Sequence, residues 1–497
     1  MSIYLLIILL YLVVLAVFNF IKSKKIKNQD DMMVAGRSLS LTKMVFTLIC
    51  TWIGSGTFIA GAEYAYRAGW SSMWLPAGAW VGIAIIYFLA GKIRTFGQYT
   101  IGDILEERYG KFARLFGAIV LIIAFTTIVS YQFRAGGYIL NVITDGSISV
   151  AQGQLIAAVF VILFVSLGGM VAVAHTDLPN GIIIVLACIT SVPFVIMTAG
   201  GWGAVARDLP PSYMAVFSPD FGQYPALKAI SYCLATMFLL LGVQSMYQKF
   251  YSARSPREAK RAVVLWIIGT IVVEAVVVVI AVYGAAYFSV HGGVDPASVV
   301  LQAARHMVPA PIGLLLMAAA CVVVLSTGMN YLLSPSTNIM RDIYQRFINP
   351  NAEQKKMVAL QKVFIVIIGV CAFLLIFIPT VLHSNISVLK YAYFAYTLYG
   401  VAITPALFAA LAWKRATKAG GLASIVSGAL TALVFDLIIP NVFPSVLLSG
   451  DPWGIPSIYP GLIVSITALV VVSYLTPPPD EQTLRKLFPK AGEPVAR

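Results

Sequence analysis

Apolar runs of about twenty residues recur along almost the whole chain, separated by short stretches that carry most of the charge. A run of that length spans the hydrocarbon core of a bilayer as a helix. Lipid supplies no hydrogen bonds to the backbone, so each run must satisfy its own amides, and a helix does so within one segment. The pattern predicts an all-α polytopic membrane protein. Composition agrees: 60% of residues are hydrophobic and 11% charged, against about 25% charged in soluble domains.

The runs predict about thirteen spans, near 2–21, 43–66, 72–91, 114–142, 152–173, 178–200, 228–248, 262–289, 312–335, 361–382, 388–412, 420–438 and 457–476. The first has no basic residues before it and is followed by Lys22, Lys24, Lys25 and Lys27, so it reads as a true span rather than a cleaved leader. Basic residues test the alternation. The loops after the odd-numbered spans and the tail hold twenty-eight of the thirty-four Lys and Arg, while Arg67, Arg207, Lys228, Arg305 and Lys390 fall in the opposite loops. Cytoplasmic loops carry the excess of Lys and Arg. The reading is therefore a multi-pass protein of the cell (plasma or inner) membrane, N-terminus outside and C-terminus cytoplasmic. One transporter domain, 1–497, is expected, ending in a cytoplasmic tail at 477–497.

The net charge of +14 is then a record of topology, not a nucleic-acid surface. Cys50, Cys188, Cys233, Cys321 and Cys371 lie singly in apolar runs without metal-ligand spacing. His175, His291, His306 and His383 lie at span ends or in loops, so no paired catalytic set exists and an enzyme is not expected.

Polar residues inside a span are costly, which makes them functional candidates. Cys50-Thr51-Trp52-Ile53-Gly54-Ser55-Gly56-Thr57 interrupts the second span with glycines and hydroxyls. That suits either a helix break that frees carbonyls for a cation or a small-residue packing face. Ser326-Thr327 in the ninth span offers hydroxyl oxygens to a hard cation, or bonds back to its own helix. Asp177 at the start of the sixth span is an ion ligand or a helix-dipole complement.

Several segments taken together resemble the sodium/solute symporters. Gln244-Ser245-Met246-Tyr247-Gln248-Lys249, continuing through Ser252-Ala253-Arg254 to Ala259, is similar to that family's Q-x-x-x-Q-R-x-x-[SA]-[AS]-[KR] signature. The run from Ser326-Thr327 through Ser334 to Asp342-Ile343-Tyr344 resembles its ninth-helix segment. Tyr99-Thr100-Ile101-Gly102-Asp103, Gly168-Gly169 with Thr176-Asp177, and Trp413-Lys414-Arg415 follow in the family's order.

The resemblance implies a five-plus-five inverted repeat of the LeuT type, with 43–200 as the first repeat and 228–412 as the second. The helix at 2–21 precedes them and two helices within 420–476 follow. It implies a sodium site formed by the carbonyls of Cys50, Ile53 and Val323 and the hydroxyls of Ser326 and Thr327, with Asp177 beside it, for one or two sodium ions. It implies a solute pocket near Trp52, Gln132 and Gln244. Val243 and Trp52 stand where sugar-carrying members have Asn or Asp and Asn, which argues against a sugar. Thr51-Trp52-Ile53-Gly54 with Glu63 and Tyr66 looks like the choline-carrying branch, where the indole meets a quaternary ammonium. Arg134 either clamps a solute carboxylate or pairs with Glu63, and Lys390 and Glu274 raise the same question. The expected function is sodium-coupled uptake of a small organic solute by alternating access. A proton-coupled carrier relaying through Glu63, Asp177 or Glu274 is the alternative, as is a solute sensor on the same fold. Partners are the solute and the lipid bilayer, with no nucleic acid and no obligate protein partner.

Overall fold

The computed structural model describes residues 29–96, 99–382 and 387–488, together with scattered positions between 6 and 21. The expected first span at 2–21 lies largely outside the described residues. Among those described there, Tyr11 donates its hydroxyl to Asn180 Oδ1 of the sixth span, at 2.5 Å.

Eleven helices among the described residues are long and apolar enough to cross a membrane. They coincide with the third to thirteenth expected spans. The second span is broken and begins with the shorter helix Leu41–Trp52. Several helices start a few residues before their apolar runs, because hydropathy sees the apolar turns while capping residues set the true start. The eighth span opens at Pro256, not 262, where Ser255 accepts from the Glu258 amide and proline occupies the first helical position. Ser149 and Gln152 cap the fifth span reciprocally.

Burial orders the spans from centre to rim. The most apolar window of the eleventh span is 83% buried and that of the ninth 78%, against 28% for the tenth and twelfth. The tenth exposes Val363, Val366, Ile367, Val370 and Leu374, a stripe at helical spacing that suits lipid. These two spans are the most enclosed of the eleven, and most of their polar residues face protein.

Two interruptions matter for function. Leu41–Trp52 ends where Ile53 turns extended at φ −70°, ψ 101°, and the chain resumes as a wide turn over Gly56–Gly61 and a helix over Ala62–Ala68. The seventh span breaks in the same manner: Pro225–Gly242 and Gln244–Ser252 are separated by Val243 at φ −63°, ψ 118°. Each break leaves terminal carbonyls of the first half without an intrahelical donor.

A short helix absent from the hydropathy reading, Ile101–Tyr109, carries a charged cluster. Thr100 caps it and Asp103 returns the cap. Arg114 of the fourth span reaches Asp103 at 2.7 Å, Glu106 at 2.6 Å and Asp342 of the ninth span at 2.6 Å. Thr100 and Asn338 also donate to Asp342.

Candidate cation and solute site

The break in the second span lies against the ninth. Thr327 Oγ1 is 3.0 Å from the carbonyl oxygen of Cys50 and 3.0 Å from that of Ile53. Oxygens at this spacing can share one hard cation with ligand distances of about 2.3–2.6 Å, as calcium sites do. Val323 lies four residues earlier on the same helix, fully buried. The helix ends that an isolated chain would leave unsatisfied thus meet a single hydroxyl.

Gly54 makes the approach possible. A Cβ there would sit 2.7 Å from Thr327 Cγ2 and 3.0 Å from its hydroxyl oxygen. Gly54→Ala is therefore expected to push Thr327 off the carbonyls and raise the sodium concentration for half-maximal uptake about tenfold, equivalent to about 1.4 kcal/mol. Uptake measured against sodium concentration in the variant checks it; an unchanged sodium curve would show that the close approach is incidental.

Asp177 is fully buried beside this point. Its carboxylate accepts from the Ser326 hydroxyl, from Thr47 Oγ1 at 2.5 Å and from Asn330 Nδ2 at 3.4 Å. Cys50 Sγ donates to the Asp177 carbonyl at 3.3 Å. Hydrogen bonds thus join Thr327 to the Cys50 and Ile53 carbonyls and Ser326 to Asp177. Two neighbours had no site role in the sequence reading. Asn330 joins Asp177 to Lys249, whose ammonium donates to Asn330 Oδ1 and contacts Met170 Sδ at 3.1 Å. Lys249 reads from sequence as a loop cation, yet it is fully buried; its only sequence signal is its place after Gln248 in the signature.

A narrow cavity of about 30 Å³, room for a water or two, opens at the same break and is lined by Trp52, Gly56, Thr57, Thr236, Glu274 and Tyr396 among others. Trp52 is thus brought to it. Gln132 comes to the break itself: its Oε1 accepts from the Ser55 amide at 3.2 Å, and its buried Nε2 has no partner among the described residues. Gln244 is turned elsewhere, bonded to the Ile101 amide at 3.2 Å and to Asn338. Glu63 pairs with Arg67 at 3.1 Å, one turn along its own helix. Arg134 donates to Thr380 Oγ1 at 3.0 Å and Tyr138 at 3.4 Å, so the Arg134–Glu63 pairing considered above is not formed.

With the broken helices, the oxygens and the cavity established, comparison with known proteins decides the family. A sequence model described as the sodium:solute symporter family matches residues 32–428. The chain belongs to this family. It is a sodium-coupled solute symporter of the multi-pass membrane type and not an enzyme. The symporter is 27% identical to the high-affinity proline transporter PutP of Bacillus subtilis, over 92% of this chain and 95% of that protein. It is 25% identical to a sodium/proline symporter of Escherichia coli, over 97% and 94%. Its fold is similar to that of a Na⁺-coupled sialic acid symporter solved in a substrate-bound outward-open state, with a TM-score of 0.80, 17% identity, and 96% and 98% of the two chains covered. The LeuT-type architecture expected from the sequence is therefore the fold of this symporter.

Proposed function

We propose that this symporter imports a small organic solute with one sodium ion at the break of the second span. The observation that carries the reading is the meeting of Thr327 Oγ1 with the Cys50 and Ile53 carbonyls, next to the Ser326–Asp177 pair. The Val323 carbonyl completes the set, and Asp177 lines the path beside it. Sodium at this point ties the interrupted second span to the buried ninth and favours the form in which the cavity beside Trp52 accepts solute. Coupling requires only that sodium bind the solute-competent form more tightly than the other. One charge crossing 100 mV adds about 2.3 kcal/mol to the drive, roughly a fifty-fold accumulation.

Trp52 and Gln132 contact the solute, and Gln244 acts from the bonded cluster next to Asp342. Glu63 and Arg134 serve the approach to the cavity. The proline carried by the two named relatives makes a small amino acid the first solute to test. In the cell membrane the N-terminus lies outside and the C-terminus in the cytoplasm; removing buried Lys249 from the basic count still leaves twenty-seven against five. The repeats 43–200 and 228–412 form the single transporter domain.

The test is thermal stability and liposome uptake in sodium against potassium at equal ionic strength. A ligand that prefers the folded form raises stability by mass action. Sodium-specific stabilisation with sodium-driven uptake is expected. A folded protein indifferent to the exchange of sodium for potassium would overturn the reading.

A further inference from the structure

Glu274 is the one acid of the cavity wall, and nothing in the sodium mechanism uses it. It lies midway along the eighth span Pro256–Ser289 and is only 4% exposed. Its Oε1 accepts from Trp52 Nε1 at 2.9 Å and its Oε2 from Trp80 Nε1 at 2.7 Å. Both partners are neutral donors. Among the described residues no Lys, Arg or His forms an ion pair with it. A carboxyl group at membrane depth is expensive to keep without a counter-charge, and such groups as a rule face a cavity or a partner. This one faces the cavity at the helix break.

The hydrogen-bond inventory says what it lacks. A carboxylate offers about four acceptor positions, and the two indoles fill two. The indoles also fix its orientation from two sides, since an indole can only donate. Among the described residues no further donor reaches the remaining lone pairs. The other walls are apolar (Leu75, Pro76, Val277 and Val278), aromatic (Trp52 and Tyr396) and hydroxyl-bearing (Thr57, Ser72 and Thr236), a lining that supplies no positive charge. The missing component is an N–H-bearing cation.

We propose that Glu274 selects the solute, binding the protonated primary or secondary amine of a small organic molecule whose apolar part lies against Trp52 and Tyr396. The assignment rests on the symport reading above but concerns the solute, not the ion. Trp52 and Trp80 are positioning residues for the carboxylate. The class excluded is as definite as the class chosen: sugars, carboxylates without an amine, and N-acylated compounds leave the acid uncompensated.

The experiment uses the purified full chain and reads thermal stability during titration with glycine, L-alanine, L-proline and ethanolamine. Each is matched with its N-acetyl counterpart, and every titration is run in sodium and in potassium. At least one free amine is expected to stabilise the protein, and its N-acetyl counterpart not. In Glu274→Gln, which keeps the shape and an acceptor for one indole, the same amine should bind about thirtyfold more weakly or worse. The response of that variant to sodium alone reports that it is folded. If it does not fold, the comparison of amine with N-acetyl compound on the unaltered chain decides. Equal affinity of variant and parent for the amine overturns the proposal, as does equal binding of the N-acetyl compound, or no stabilisation by any amine at millimolar concentration. Unchanged amine affinity with an altered pH dependence of uptake also overturns it and makes Glu274 a proton site. The two readings fail separately. Amine binding without a sodium effect sinks sodium coupling at the proposed site and leaves the Glu274 assignment standing, whereas a sodium effect with binding of neutral solutes alone does the reverse.

Discussion

Thr327→Ala is expected to raise the sodium concentration needed for half-maximal uptake by ten- to a hundredfold. The hydroxyl oxygen stands 3.0 Å from two freed carbonyls, and a hydrogen bond or ligand contact involving a charge is worth about 1.5–3 kcal/mol. Ser326→Ala should follow closely, because its hydroxyl holds the Asp177 carboxylate next to the proposed ion position. At saturating sodium, solute affinity should change far less, since neither side chain lines the cavity. A merely structural role for Thr327 predicts something else. Removing its hydroxyl would leave the Cys50 and Ile53 carbonyls unsatisfied and lower stability by about 1–3 kcal/mol in sodium and potassium alike. Thr327→Ser restores the oxygen without the methyl group and should recover the sodium response. Uptake by Thr327→Ala that kept its original sodium curve would remove this oxygen from the ion site.

The second large effect is expected at Arg114. Its guanidinium serves Asp103, Glu106 and Asp342, and the four side chains are between 0% and 14% exposed. Deleting one member of a buried pair costs about 3–5 kcal/mol, because the charge left behind has neither water nor partner. Arg114→Ala strips Asp342 of its cation, while Asp103 keeps Arg341 at 3.6 Å and Glu106 keeps Arg346; the loss should fall within that range, measured as loss of thermal stability in detergent. Arg114→Lys restores the charge but only one point of contact, and should recover part of it. The cluster also sets a pH dependence. Burial alone would raise the Asp103 carboxyl, but the Arg114 and Arg341 guanidinium groups and the Tyr99 and Thr100 amides outweigh it and hold it below the usual carboxylate range. A depressed carboxyl contributes full stability above its unfolded value, about pH 4, and loses it as pH falls through the lower folded value. The parent should therefore lose stability on acidification below about pH 4, and Arg114→Ala should show a smaller change there. Equal stability of Arg114→Ala and the parent would show that the acids find water instead.

Much of the site was legible in the chain because the relevant chemistry is local. The run from Cys50 to Thr57 stands out locally: its glycines and hydroxyls allow a helix break or a packing face, and the structure shows the break. Ser326-Thr327 stands out as hydroxyls in an apolar span, within a helix that stays continuous. Glu274 was visible as an anomaly but not as a wall of the cavity, since its partners Trp52 and Trp80 are 222 and 194 residues away. Gln244 went the other way. The resemblance puts it near the solute pocket, yet packing turns its amide to Asn338 and Ile101, and only the fold of Ile101–Tyr109 brings that amide within reach. That helix was invisible to hydropathy because it is short and charged.

The sequence by itself determined the class, the order of spans and the family. Transfer into a bilayer is close to additive along the chain, so each run of about twenty apolar residues declares a span without reference to any other. The tertiary structure decided which polar groups meet. Thr327 reaches carbonyls 277 and 274 residues away, Ser326 reaches Asp177, and Lys249 is drawn from an apparent loop into the interior. Hydrophobic burial is nearly indifferent to partner, whereas a buried oxygen, amide or charge is stable only beside a specific complement. That complement is set by how the helices pack.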